Sequence, residues 1–301
     1  MQMNRYLGKI QKACIMLKLL FQECFDNCVV VKMSLSLNYD GTLRKSNWGD
    51  DINYWFLKEI IEGKLINYDW SIKTKLFKKP FVSGIGSILT LFNMDKAIVW
   101  GSGIISSTDR VIGIPKEVRA VRGPLTRQQL LNQGIECPEV YGDPALLLSL
   151  FYTPNVEKKY KIGIILHYVD QNNHLLDSLR TDPNILFIDI RRYSHWLDFI
   201  DQICQCEMIA SSSLHGLIMS EAYGIPNIWI KLKDSNLSDD FKFHDFFLSL
   251  GKDREAFSVN KDVTSLELIK KGREWKKVSI DLTQLINACP FKLKQHIKIN
   301  H

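Results

Sequence analysis

Four short stretches of the chain combine glycine with polar or charged residues in the way that anion-handling sites require. They are Asn47-Trp48-Gly49-Asp50-Asp51; the pair Gly84-Ile85-Gly86-Ser87 and Trp100-Gly101-Ser102-Gly103; Arg119-Ala120-Val121-Arg122-Gly123-Pro124 with Arg127 one turn further on; and Ser211-Ser212-Ser213-Leu214-His215-Gly216 followed by Glu221-Ala222-Tyr223-Gly224-Ile225-Pro226. Small residues ahead of a helix leave its first N–H groups open to an anion. Arg122 at a strand end can clamp a carboxylate or phosphate through two N–H groups. His215 falls in the first turn of a helix beside Ser212 and Ser213, suited to proton transfer near neutral pH, and the helix dipole there lowers its pKa. Each stretch also has a plain structural reading. Gly84 and Gly86 can serve a tight turn, Ser211–Ser213 can cap the next helix, and Asp50 can be an N-cap. What points to chemistry is the combination: Arg, His, Asp and Gly all fall at predicted strand-to-helix turns.

The elements that must hold these turns read as alternating strands and helices. Strands are expected over Cys28–Leu37, Pro80–Leu89, Ala97–Gly101, Glu117–Val121, Lys161–His167, Asn184–Ile190, Glu207–Ser211 and Asn227–Leu232. Helices are expected over Asp51–Glu62, Pro124–Asn132, Asn172–Arg180, His195–Cys204 and Leu214–Tyr223, with Pro124 at a first-turn position and Gly134 just past a helix end. Short apolar strands alternating with helices of about 10 residues predict parallel sheets with right-handed crossovers. The Pro-, Lys- and Glu-containing stretch Tyr152–Tyr160 reads as a linker between two such series. The expected organisation is therefore an N-terminal helix (1–30) and two Rossmann-like domains (31–153 and 154–301) facing across a cleft, the second ending in a Lys-rich, mostly helical tail.

Composition narrows the function classes. The 301 residues carry 39 Lys+Arg against 33 Asp+Glu, a net charge of +6. That surplus suits an anionic small molecule or a membrane surface, and with no reading motif it argues against nucleic acid. The seven cysteines have irregular spacings and no Cys-x-x-Cys pair. They read as buried reduced thiols of a cytosolic protein. No P-loop, His-Glu-x-x-His signature or Gly-x-Ser-x-Gly elbow is present. No apolar run is long enough to span a bilayer. Residues 1–22 contain Arg5, Lys9, Lys12 and Lys18 and no acid, with apolar residues at helical spacing. Two readings stay open for this segment: a basic amphipathic helix on an anionic membrane, or a helix packed on the protein body.

Taken in order, the motifs resemble those of polysaccharide pyruvyl transferases. The resemblance is carried by Asn47-Trp48-Gly49-Asp50, Gly86-Ser87-Ile88, Trp100-Gly101-Ser102-Gly103, Arg122-Gly123-Pro124, Gly142-Asp143-Pro144-Ala145, Ser212-Ser213-Leu214-His215-Gly216 with the Glu221–Pro226 stretch, and the closing Pro290-Phe291. It covers roughly residues 34 to 292. It implies a GT-B-like fold and transfer of the enolpyruvyl carbons of phosphoenolpyruvate to a sugar, with no metal or redox cofactor. It also implies that Arg122 and His215 meet the donor and that Asp50 faces the cleft. On that reading Arg119 or Arg127 assists Arg122. His215 protonates C3 of the enol or stabilises the leaving phosphate, and Asp50 orients or deprotonates the acceptor hydroxyl. Asn47, Gly101, Ser102, Ser212 and Ser213 complete the expected site. The stretch Asn38–Ser46 is longer and more polar than the glycine-rich turn of the pattern. A lipid-linked acceptor would explain the basic N-terminal helix as a contact with the inner leaflet. The runner-up is a nucleotide-sugar-dependent GT-B glycosyltransferase, in which Glu221 would contact a ribose. A non-catalytic scaffold in polysaccharide assembly is the third reading.

Overall fold

A computed structural model of the protein describes residues 2–45, 47–233 and 239–294, the side chains from Leu7 onward. Ser46, the residues 295–301 of the expected basic tail and the side chain of Arg5 lie outside the described residues. The strands among the described residues are β1 (Cys28–Lys32), β2 (Ser36–Leu37), β3 (Leu43–Arg44), β4 (Lys64–Asn67), β5 (Phe81–Ser83), β6 (Ala97–Trp100), β7 (Glu117–Ala120), β8 (Tyr160–Ile165), β9 (Ile185–Phe187), β10 (Cys206–Ser211), β11 (Asn227–Leu232) and β12 (Phe257–Val259). The helices are α1 (Gln2–Phe25), α2 (Trp48–Ile60), α3 (Ile72–Leu76), α4 (Pro124–Leu131), α5 (Leu148–Phe151), α6 (Asp198–Cys204), α7 (Leu214–Ala222), α8 (Phe241–Ser249), α9 (Ser265–Gly272) and α10 (Thr283–Asn287).

The expected α/β class is what forms. One five-stranded sheet has the order β4-β1-β5-β6-β7 and a second has β12-β11-β10-β8-β9, and every pairing within them is parallel. Strands such as Val29-Val30-Val31 and Ile162–Ile165 are apolar throughout because helices cover both faces of a parallel sheet. The edge strands β4 and β12 were not expected; both are too short to show a period. The helix expected over Asn172–Arg180 is replaced by single 3-10 turns at Tyr168–Asp170 and Asp177–Leu179. Asn173 Oδ1 accepts from Leu175 N at 2.8 Å and Asp177 pairs with His174 at 2.8 Å. Short polar side chains there compete with a helical ladder for the backbone. The polar stretch before Asn47 forms the small β2–β3 hairpin.

One apolar cluster bridges the two sheets, from Val31 and Trp100 of the first with Phe56 on α2 to Ile165 and Trp229 of the second with Phe199 on α6, and each sheet has a further cluster of its own. Trp48 ties it together. Its backbone N–H donates to Ile190 O at 2.9 Å, its Nε1 donates to Trp196 O at 2.6 Å, and its ring stacks on Phe199 at 4.4 Å. The chain end returns to the first sheet. Trp100 Nε1 donates to Leu285 O at 2.8 Å, and Glu62 N and Lys294 N exchange bonds with Lys292 O and Ile60 O. Over its described residues, up to 294, the tail is thus only partly helical, and the last of them pair with the end of α2.

The N-terminal helix forms as its spacing predicts and packs on the protein body along one side. On one side Lys12 lies over the Trp70 ring, and Glu23 accepts hydrogen bonds from Ser71 and Thr74. On the other side Leu7, Ile10, Leu17, Phe21 and Phe25 are exposed. Cys14 and Cys24 are exposed with them, which corrects the expectation of uniformly buried thiols; none of the seven cysteines is in a disulfide.

Because Trp48 is fully buried and bonded to the second half, Trp48→Ala should cost about 3–5 kcal/mol. Urea unfolding should remain one cooperative transition at a lower midpoint. Two separated transitions, only one of them moved by the substitution, would contradict a shared core.

Candidate active site

The site forms where the first turn of α2 meets the first turn of α7. Asn47, not Asp50, caps α2: its Oδ1 accepts from Gly49 N at 3.1 Å. That leaves Asp50 free of the capping role. Gly49 sits against the His215 imidazole so closely that a Cβ there would lie 2.2 Å from Nδ1. Only glycine permits this approach. Asp51, two residues after Gly49, is fully buried and accepts from Tyr193 OH at 2.7 Å. The two helix starts are therefore locked in place by contacts from both halves of the chain.

Arg122 lies behind them. It is fully buried at the end of β7, where its Nε donates to Asp245 Oδ2 at 2.9 Å, its Nη2 to Ile104 O at 2.6 Å and its Nη1 to Ser87 Oγ. Asp245 also accepts from Thr126 N at 2.8 Å and Thr126 Oγ1 at 2.7 Å. Gly123 allows α4 to start against α8, since a Cβ there would be 1.8 Å from Asp245 O. Neither member of the ion pair is exposed, so removing one would leave a buried charge unpaired, at a cost of about 3–5 kcal/mol.

The titration of the neighbouring groups follows from burial. Desolvation, reinforced by Asp51, pushes Asp50 up to about 7, against the opposing pull of Asn47 and Lys242. Burial pushes His215 down to about 3, with Lys242, Arg122 and His167 adding to the effect. His167, just beyond β8, is pushed down to about 3 by burial and then by Lys242. Lys242, in the first turn of α8, is lowered to about 8 by burial and by Arg122. The buried Nε2 of His215 has no hydrogen-bond partner among the described residues. Ser213 is the N-cap of α7 but makes no side-chain capping bond. A half-buried imidazole whose Nε2 is buried and unpartnered, at a helix start without a side-chain cap and near Lys242 and Arg122, with Asp50 next to the Gly49 that touches it, can bind an anion and move a proton.

Comparison with known proteins bears on what this site handles. A sequence model of the polysaccharide pyruvyl transferase family matches residues 15–234. The chain belongs to that family. It is 30% identical over 224 residues to the uncharacterized protein L143 of Acanthamoeba polyphaga mimivirus, covering 70% of this chain and 73% of that one. It is also 28% identical over 236 residues to the succinoglycan biosynthesis protein ExoV of Rhizobium meliloti (strain 1021), covering 76% of this chain and 69% of that one. Membership makes the protein a transferase of pyruvyl groups in polysaccharide biosynthesis.

Within this pyruvyl transferase, the expected site residues divide. Asn47, Asp50, Ser213 and His215 come together, with Ser212 beneath them: it is fully buried, accepts from His167 N at 2.9 Å and donates to Asp170 at 3.2 Å. Arg122 is in the cluster, but its guanidinium is engaged by protein, which corrects the expectation of an open clamp. Ser102 is buried and bonded to Ser83 and Gly84, and Gly101 adopts φ +86 tight against Pro144; both hold strand ends together. Arg119 turns to Glu117 and Cys289 O, and Arg127 to Cys137 O and Glu139. Neither assists Arg122. Glu221 is saturated inside the second half by Lys252 at 2.6 Å, Arg254 at 3.3 Å, Trp275 Nε1 at 2.9 Å and Asn227 Nδ2 at 3.0 Å. A carboxylate so occupied offers little to a ribose, which weighs against the glycosyltransferase alternative as family membership does. Sequence reasoning gave His167 no place in the site, although its position at the carboxyl end of an apolar strand was a usable signal. It passed over Lys242 and Asp245, which no motif marks.

The raised pKa of Asp50 has a definite sign. The native state holds its proton more tightly than the unfolded chain, so stability falls as pH rises from about 4 to about 7. Asp50→Asn should lack this loss: its stability relative to wild type should grow across that window, while transferase activity falls about 10²–10⁴-fold. A stability difference that does not change with pH would contradict the assignment.

Proposed function

We propose that the protein transfers the enolpyruvyl carbons of phosphoenolpyruvate to a sugar of a surface polysaccharide, or of its lipid-linked repeat unit, and closes a pyruvate ketal. The observation that carries this reading is the unpartnered, buried Nε2 of His215 at the uncapped start of α7, with Arg122 and Lys242 beside it and Asp50 opposite. Such a place suits a small, highly charged donor better than a long nucleotide. In the reaction a sugar oxygen adds to C2 as C3 takes a proton from water, and the hydroxyl proton passes to Asp50, which returns it to water. The bond from C2 to the phosphate oxygen then breaks, and its electron pair leaves with phosphate. A second hydroxyl adds at C2, and the proton it releases goes to the departing phosphate. Burial keeps His215 neutral until the donor arrives. A phosphate at Nε2 raises its pKa, so that it takes up a proton and holds it at the leaving group. The enol phosphate is already activated, and the reading includes no metal or redox cofactor.

The same reading arranges residues 31–153 and 154–301 as two Rossmann-like units in the GT-B-like manner, each supplying one helix start to the cleft. It places the enzyme in the cytoplasm at the inner face of the membrane, touching anionic lipid through residues 1–25. No described helix is long and apolar enough to cross a membrane. What supports surface contact is α1: its exposed apolar stripe is flanked by the exposed Lys9 and Lys18, and no acid precedes Glu23.

Calorimetric titration should show binding of phosphoenolpyruvate without added metal, lost in His215→Ala while the melting temperature holds. Binding of a UDP-, GDP- or CMP-sugar instead would overturn the reading. In flotation assays the full chain should rise with vesicles containing anionic lipid and not with neutral ones, and Leu17→Glu with Phe21→Glu should leave it at the bottom. Unchanged flotation of that double variant would refute the membrane contact.

A further inference from the structure

Arg122 is too enclosed to be the cation that meets an incoming anion. All three of its guanidinium nitrogens donate to protein oxygens, and none of the residue is exposed. The next positive charge in the cluster is Lys242. It lies three residues before Asp245 on α8, so the helix that binds Arg122 through Asp245 carries Lys242 on the same side. Lys242 is half-buried and forms no ion pair with the described residues. The charged groups that face it are Arg122, Asp50, Asp170 and Asp239, and its charge is felt by His215 and His167. Burial and Arg122 disfavour this ammonium, and Asp50, Asp170 and Asp239 only partly offset them. An anion between Lys242 and the unpartnered His215 Nε2 would give both groups a partner.

We propose that Lys242 is the open anion-binding cation of this site, taking the donor's phosphate together with His215, while Arg122 stays behind as a fixed buried charge. The identity of the anion rests on the phosphoenolpyruvate reading; the anion site itself does not. Lys242 lies outside residues 15–234, the segment matched by the family, so the assignment comes from the packing of α8 and not from a motif. Its amine, lowered to about 8, is still charged at pH 7.

The test is calorimetric titration of the full chain with inorganic phosphate and, separately, phosphoenolpyruvate, for wild type, Lys242→Met and Lys242→Arg. Lys242→Met should weaken both ligands about 10- to 100-fold, the loss expected for one charged hydrogen bond, and melt at or above the wild-type temperature. Lys242→Arg should bind within a few-fold of wild type at pH 7. Above pH 8 wild-type affinity should fall as the amine deprotonates, whereas Lys242→Arg should hold, a difference that a merely structural lysine would not produce. That pH profile decides the question even if Lys242→Met fails to fold. Phosphoenolpyruvate binding unchanged in Lys242→Met would overturn the role of Lys242 and leave the donor reading standing. Phosphate binding that depends on Lys242, with no tighter binding of phosphoenolpyruvate, would support Lys242 and overturn the donor reading. Wild type that binds neither anion would overturn both.

Discussion

The buried pair between Arg122 and Asp245 is the constraint from which the site follows. Arg122 belongs to the end of the first sheet and Asp245 to a helix packed on the second. Two charges withdrawn from water tolerate no separation, because either one alone is costly in the interior. Asp245 therefore fixes α8 against the start of α4, and Thr126 and the backbone at Gly123 close the joint. With α8 fixed, Lys242 has one place to be, beside the first turns of α2 and α7.

The second constraint is apolar. Trp48 inserts its ring into the second half and spends its indole N–H there, which sets the approach of α2. Gly49 then lets the backbone touch His215. The result is a polar cluster partly enclosed by the core that bridges the sheets. Enclosure has a chemical consequence: it drives Asp50, His215 and Lys242 toward their uncharged forms, and brings Asp50 to about 7 and Lys242 to about 8. Groups that sit near neutrality in the resting protein can exchange protons with an anionic substrate at little cost.

Much of this was legible in the sequence. The parallel α/β organisation follows from apolar strands spaced by helices, and β11 and α7 fall almost where their residues predict. The placement of His215 and Asp50 in first helical turns was recoverable because glycine and small residues mark strand-to-helix turns. The failures have physical causes. Arg122 looked like an open clamp because its partner is more than a hundred residues away in the chain, on a helix without a motif. Glu221 looked available for the same reason: Lys252, Arg254 and Trp275, which consume it, are distant in sequence. Asp50 looked equally able to cap α2, and the choice of Asn47 depends on where Trp48 is anchored. Short edge strands and the polar turns of 168–180 carry no period to read.

The central claim is that a small anionic donor is held where the starts of α2, α7 and α8 converge. Amide hydrogen exchange of the full chain with and without phosphoenolpyruvate tests it most directly. The account predicts slowed exchange in residues 47–51, 213–217 and 241–245 together. Protection confined to some other region, such as the cavity between Tyr152, Tyr223 and Lys277, or no protection at saturating donor, would contradict it.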